Sequence, residues 1–308
     1  MPAFVRAFFF VLRTVLKCVG LLMSRSRREF LLGTGAALAA ASRAVSQNQP
    51  APDSGLGFPI VDYHVHLNSM SLDDAVAASR QRGVKYGIAE HAGTKENIYP
   101  NVLSNDAELQ AWIAKLEGKP VFKGVQAEWI DWMPCFSKEV FAQLDYVLSD
   151  SMTVRDAAGK RTKAWTRDYD PGNDAEAFMK TYVDWIVEIL EREPLDIFAH
   201  PTWIPQKFNA DYDKLWTPER MKTVVDALKR TGTVCEIDCG MRLPKMPFLK
   251  MAKEEGVKFS FGSNSGGRTP SDMGYSIESA KTLGLTAKDM FVPAARDQKP
   301  ILRRRLRA

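Results

Sequence analysis

From residue 58 onward the chain alternates two patterns of apolar spacing. Short, nearly unbroken apolar runs predict strands at 58–64, 84–90, 120–128, 145–149, 195–199, 233–238 and 257–262. Between them, apolar positions recur every three or four residues and predict helices at 71–82, 104–117, 137–143, 173–193, 217–231, 245–255 and 275–283. Local punctuation agrees. Ser71 stands three residues before Asp74, a capping arrangement, and the 217–231 helix has Thr217 and Pro218 at its start and Gly232 past its end. Phe178, Tyr182, Trp185, Ile186 and Ile189 form a stripe at helical spacing, which reads as core packing. Seven strand–helix alternations predict one parallel α/β barrel rather than two domains. Residues 151–172 break the rhythm and read as a long loop on one face.

Composition adds limits. The chain has 308 residues, 45% hydrophobic and 26% charged, which excludes a disordered chain. Four cysteines exclude a disulfide-stapled mini-domain. The net charge of +5 suggests an anionic partner until its location is considered. Residues 1–44 hold seven basic groups and one acidic group, whereas residues 45–308 hold 35 basic and 36 acidic groups. The charge therefore belongs to the first segment, and no nucleic-acid partner is expected. Ser24-Arg25-Ser26-Arg27-Arg28-Glu29-Phe30-Leu31 opens an apolar run of 12 residues, too short to span a membrane and the length of a signal-peptide core. The string resembles the bacterial twin-arginine export signal. It implies the export machinery as a partner, a periplasmic or extracellular destination, and no stable transmembrane span. Arg13 and Lys17 interrupt the apolar residues before Met23, so Met23 is expected to be the true start and residues 1–22 an over-read extension. The expected organisation is a signal region at 1–44, a Pro/Gly-rich linker at 45–57, a barrel at 58–290 and a basic tail at 291–308.

Four histidines occur in the chain, and all fall at predicted strand ends: His64 and His66 after Asp62, then His91, then His200. In a parallel barrel every strand C-terminus opens on one face, where such folds place their sites. His-x-His on a strand points both imidazoles the same way and makes half of a divalent-metal site.

The motifs carrying these histidines resemble those of the PHP (polymerase and histidinol phosphatase) domain family. Val61-Asp62-Tyr63-His64-Val65-His66 resembles its first motif, Ile88-Ala89-Glu90-His91 its second and Phe198-Ala199-His200-Pro201 its third. Phe261-Gly262-Ser263-Asn264-Ser265-Gly266 takes the place of the fourth, and the resemblance runs from about 58 to 290. It implies a distorted seven-stranded barrel, related to the TIM barrel, that holds up to three metal ions and hydrolyses phosphate esters. The sequence also departs from the family. Gln126 stands where a bridging carboxylate is usual, Met152 near the place of a ligand histidine, and Asn264 and Gly266 replace an Asp-x-His pair. Three dications need several carboxylates, so fewer than three ions are expected, whether zinc, manganese or iron. The expected ligands are His64, His66, His200 and Glu128, with His91 and Asp62 as catalytic groups acting on a metal-activated water. Asn264 and Arg268, in a Gly-rich loop, are expected to bind a small phosphate-ester substrate. Two other readings remain: a binding protein on a degenerate barrel, and an amidohydrolase-like enzyme. Trp129, Trp132, Trp165 and Trp203 are candidates to wall an apolar substrate pocket. Cys235 and Cys239 read as packing residues, a disulfide or soft ligands.

Overall fold

The computed structural model describes residues 55–303, apart from 98, 129–131, 156–160 and 265–272. The export signal, Met23, Trp129, Arg268 and residues 304–308 lie outside the described residues. Seven parallel strands close into a barrel in the order β1 (Val61–Val65), β2 (Lys85–Ala92), β3 (Phe122–Ala127), β4 (Tyr146–Ser149), β7 (Ile197–Phe198), β8 (Val234–Asp238) and β9 (Phe259–Gly262). β9 returns to β1 through Asp62 and Phe261. The principal helices are α1 (Leu72–Arg82), α2 (Asp106–Leu116), α4 (Ala175–Arg192), α6 (Pro218–Thr231), α7 (Met246–Glu254) and α8 (Gly274–Leu283). Short turns of helix form α3 (Lys138–Phe141), α5 (Tyr212–Leu215) and α9 (Pro300–Arg303). Every predicted strand and helix is present, displaced at its ends by three residues at most. Among the described residues, no helix is long and apolar enough to cross a membrane.

The predicted caps form. Ser71 Oγ accepts from the Asp74 amide at 3.1 Å, and Thr217 Oγ1 from the Arg220 amide at 3.4 Å. Gly232 closes α6 at φ 68°, in the left-handed region that favours glycine. Tyr182, Trp185, Ile186 and Ile189 are buried along α4 as the stripe predicts, whereas Phe178 is only partly covered.

Two differences from the sequence-based expectation matter for the site. The 151–172 stretch is not all loop. It folds into an antiparallel hairpin of β5 (Thr153–Arg155) and β6 (Arg161–Lys163), because Thr153, Val154 and Thr162 give it strand propensity. Residues 291–303 also pack against the barrel. Phe291 donates its amide to Phe259 O at 2.8 Å and packs edge-on to Tyr63 at 5.0 Å, while Ile301 on α9 is buried.

The barrel interior is filled by Tyr63, Ala89, Tyr146, Leu148, Ile197, Ala199 and Val234. Tyr146 meets Tyr63 in a T-shaped contact at 5.2 Å. Its ring fits only because Gly87 on β2 and Gly124 on β3 lack side chains. This apolar plug leaves the C-terminal mouth for polar groups.

A buried carboxyl between the layers gives a first prediction. Glu193, just past α4, accepts from Trp132 Nε1 at 2.7 Å. Burial pushes its carboxyl up from 4.5 to about 8. The native state therefore binds more protons than the unfolded one across that interval. Its contribution to stability is full below about pH 4.5 and declines as pH rises to 8. Glu193→Gln is expected to reduce the fall in Tm between pH 5 and 8, as read by calorimetry; an unchanged slope would refute the assignment.

Candidate metal centre

Polar residues converge where the strands end. β1 contributes Asp62 and His64, with His66 just beyond it, and β2 contributes Glu90 and His91. Glu128 follows β3, Asp150 follows β4, and His200 lies two residues past β7. Glu236 and Asp238 alternate on β8, which turns both toward the barrel interior. Asp62, His64, His200, Glu236 and Asp238 are all buried.

His64 is the hub. Its Nδ1 lies 2.7 Å from Glu236 Oε1 and its Nε2 lies 3.0 Å from Gln126 Oε1. Both partners are oxygen acceptors, an arrangement that favours the protonated imidazole. Burial opposes that charge, but Glu236 outweighs it and the imidazole pKa is raised. His200 behaves alike. Its Nδ1 sits 3.0 Å from Asp238 Oδ2 and 3.5 Å from Glu236 Oε2, and its own amide donates to Glu236 Oε2 at 3.2 Å. Burial disfavours its cation, yet Glu236 and Asp238 push its pKa up to about 9. His64, His200 and Glu236 thus bring three ligand atoms within 4.8 Å of one another.

The backbone is shaped for this convergence. His200 adopts φ 49°, a left-handed conformation that costs a non-glycine residue about 1–3 kcal/mol and persists only where its surroundings fix it. Gly262 stands beside Glu236, and a Cβ there would overlap the Glu236 carboxylate and approach His64 Cβ to 2.9 Å. Asp62 lies behind the imidazoles. It accepts from the His64 amide at 3.1 Å, the Ser263 amide at 3.0 Å and Ser263 Oγ at 2.5 Å. Burial raises its carboxyl to about 6 despite those bonds.

A second cluster adjoins the first. His91 Nδ1 pairs with Glu128 Oε1 at 2.8 Å. Burial holds Glu128 up at about 8 and His91 down at about 4, so near pH 7 the pair shares one proton. His66 stacks on His91 at 4.6 Å and donates from Nδ1 to Ala89 O at 3.1 Å, its pKa driven well down by burial. Gln126 joins the clusters, because its Nε2 donates to Asp150 Oδ2 at 2.9 Å while its Oε1 faces His64. The hairpin covers this cluster with Lys163, a buried amine seated 3.2 Å over the Tyr99 ring. Glu128 and Asp150 act on it electrostatically.

The sequence-predicted residues therefore separate. His64 and His200 meet with Glu236, while His66, His91 and Glu128 form the adjoining cluster. Asn264 brings its Nδ2 to 3.3 Å from His200 Nε2. Glu236 is not among the ligands that the sequence predicts. Its signal was a pair of acids two apart on a strand that is otherwise Val, Cys and Ile. Cys235 and Cys239 are buried and form no disulfide. Trp132 packs on Phe141 at 4.7 Å and is absent from the lining of the cavity that Trp165 and Trp203 share.

No protein-family model matches the sequence, and no curated protein matches it. Among solved structures, the chain is similar to a histidinol phosphate phosphatase from Lactococcus lactis, complexed with zinc, L-histidinol and phosphate. The identity is 16% and the TM-score 0.50, over 73% of this chain and 92% of that one. It also aligns, at 16% identity and a TM-score of 0.34, with an HpcH/HpaI aldolase from Desulfitobacterium hafniense, over 76% of this chain and 96% of that one. The first likeness establishes the shared barrel fold.

Proposed function

We propose that this barrel is a PHP-like, metal-dependent hydrolase of phosphate esters, working outside the cytoplasm. The convergence of His64, His200 and Glu236 carries the reading. The donor set suits a divalent ion. Two imidazoles and a carboxylate match the nitrogen and oxygen preference of zinc. The buried carboxylates of Glu236 and Asp238 also demand nearby positive charge, which a dication supplies while leaving both imidazoles neutral. We assign one ion to His64, His200 and Glu236. His66 and Glu128 fall outside that set among the described residues. Such an ion would polarise a phosphoryl oxygen and an attacking water.

The chain's own residues do the rest. His91, backed by Glu128, holds a proton to exchange with water or a leaving alcohol. Asp62 is a positioning residue that ties the His64 and Ser263 amides together. Asp238 and Glu236 orient His200, and Lys163 brings a cation toward the mouth for an anionic substrate. Export rests on the paired arginines Arg27 and Arg28, and N-terminal sequencing of secreted protein tests it.

Natively purified protein is expected to carry about one equivalent of zinc, manganese or iron and to hydrolyse p-nitrophenyl phosphate. His64→Ala should lower that activity by at least about 100-fold. Protein that is metal-free and inert toward phosphate monoesters would overturn the reading and leave a barrel that only binds.

A further inference from the structure

The Lys163 amine is buried and has no hydrogen-bond partner. An ammonium carries three donors and a full charge, so burying it is costly unless opposite charge lies near. The hairpin fixes its position. Lys163 pairs with Thr153 across β5 and β6, the Ala164 amide donates to Met152 O at 2.8 Å, and Trp185 Nε1 on α4 donates to Thr153 O at 3.0 Å. The amine lies 3.2 Å over the Tyr99 ring, and that ring stacks on His91 at 3.5 Å.

The surrounding charges explain this seat. Glu128 and Asp150 both attract the ammonium. Glu128 is the buried acid paired with His91, and Asp150 accepts one bond at each oxygen, from the Met152 amide at 2.7 Å and from Gln126 Nε2 at 2.9 Å. Both acids also interact with the imidazoles of the metal centre, Glu128 with His64 and Asp150 with His64 and His200. They are therefore under two positive poles at once. Arg161 precedes Lys163 by two residues and also acts on Glu128, but its guanidinium donates to Thr94 Oγ1 at 3.0 Å and to Asn97 Oδ1 at 3.4 Å. The cluster itself is not arranged to hold an ion. Among the described residues, only His64, His200 and Glu236 bring three ligand atoms within 4.8 Å of one another. The adjoining groups are spent on other partners: His91 Nδ1 on Glu128, His66 Nδ1 on Ala89 O, and Asp150 on Gln126.

We infer that Lys163 does the work of a second metal ion. Its ammonium is the fixed positive centre that a two-ion site obtains from a second dication, and it limits this barrel to one ion. The inference rests on the metal-dependent reading and adds how the second acidic cluster is neutralised. A dication at His64, His200 and Glu236 serves the carboxylates of Glu236 and Asp238, while Lys163 serves Asp150 and the pair of Glu128 and His91.

Counting bound manganese tests this independently of turnover. Metal-depleted protein is loaded with excess manganese(II), desalted, and measured by elemental analysis and electron paramagnetic resonance, which separates a lone ion from a spin-coupled pair. The wild type is expected to hold about one equivalent with the spectrum of a lone ion. Lys163→Met keeps the length of the side chain and removes its charge, so it should hold about two equivalents and show a coupled pair. Lys163→Arg keeps the charge and should stay at about one. A Lys163→Met protein that stays at one equivalent overturns the inference and leaves the metal centre standing, and so does a wild type that holds two. A Lys163→Arg protein that gains the second ion also overturns it, because space rather than charge would then set the count. A wild type that binds no metal takes down the metal-dependent reading and this inference together. Circular dichroism checks the fold of each variant, and Lys163→Gln replaces Lys163→Met where the methionine protein does not fold.

Discussion

Glu236→Gln is expected to strip the metal centre while leaving the barrel folded. The amide keeps the volume of the carboxyl, so the space against Gly262 is filled as before. Its charge is lost, and Glu236 is the acid that serves both imidazoles. It sits 2.7 Å from His64 Nδ1 and 3.5 Å from His200 Nδ1, and it accepts the His200 amide at 3.2 Å. A neutral amide cannot offset a dication or hold two protonated imidazoles. Metal content should fall to below about a tenth of an equivalent, with activity down by more than about 100-fold. Asp238→Asn removes one contact to His200 and leaves the ligand set intact, so a partial loss is expected. Elemental analysis and far-UV circular dichroism of both variants decide the matter. A Glu236→Gln protein with full metal occupancy would move the site to the neighbouring cluster.

The sequence made the barrel legible because its elements are locally encoded. The strands are apolar runs buried on both faces, and helices such as α1 and α6 carry their own caps. The hairpin of β5 and β6 was not legible. Each strand has three residues, and Arg155, Arg161 and Lys163 give the stretch a polar look. Residues 291–303 escaped for a similar reason, since a run dense in arginine and lysine masks Phe291 and Ile301.

The histidines were legible as strand-end residues, but their grouping was not. Period two along β1 puts His64 and His66 on one side, yet the pairing of β1 with β2 shifts register between Asp62 and Val65. His64 then turns to β8 and His66 to β2. The carboxylate that completes the group comes from a strand 172 residues away in sequence, a contact that no local pattern encodes. Glu128 follows β3 and pairs with His91.

Gly124→Ala is expected to be among the most destabilising single changes in the protein, although it adds one methyl. Gly124 pairs with Tyr146 across β3 and β4, and a Cβ built there overlaps the Tyr146 ring. That ring cannot retreat. Tyr63 meets it at 5.2 Å, and a Cβ on Gly87 would reach its hydroxyl at 2.7 Å. Overpacking a full interior costs about 1–3 kcal/mol and more where backbone must move. At about 2–4 °C per kcal/mol for a domain of this size, a Tm drop of roughly 6–12 °C corresponds to about 3 kcal/mol. Tyr146→Phe keeps the ring in place and gives no relief. Tyr146→Leu removes the obstacle, at a cost of its own, and in that background Gly124→Ala should add less than about 1 kcal/mol. Thermal melts of the four proteins in this cycle measure the coupling. Equal drops in both backgrounds would place the strain somewhere other than the ring, and the barrel interior would then be less tightly determined by its two glycines than the packing of Tyr146 implies.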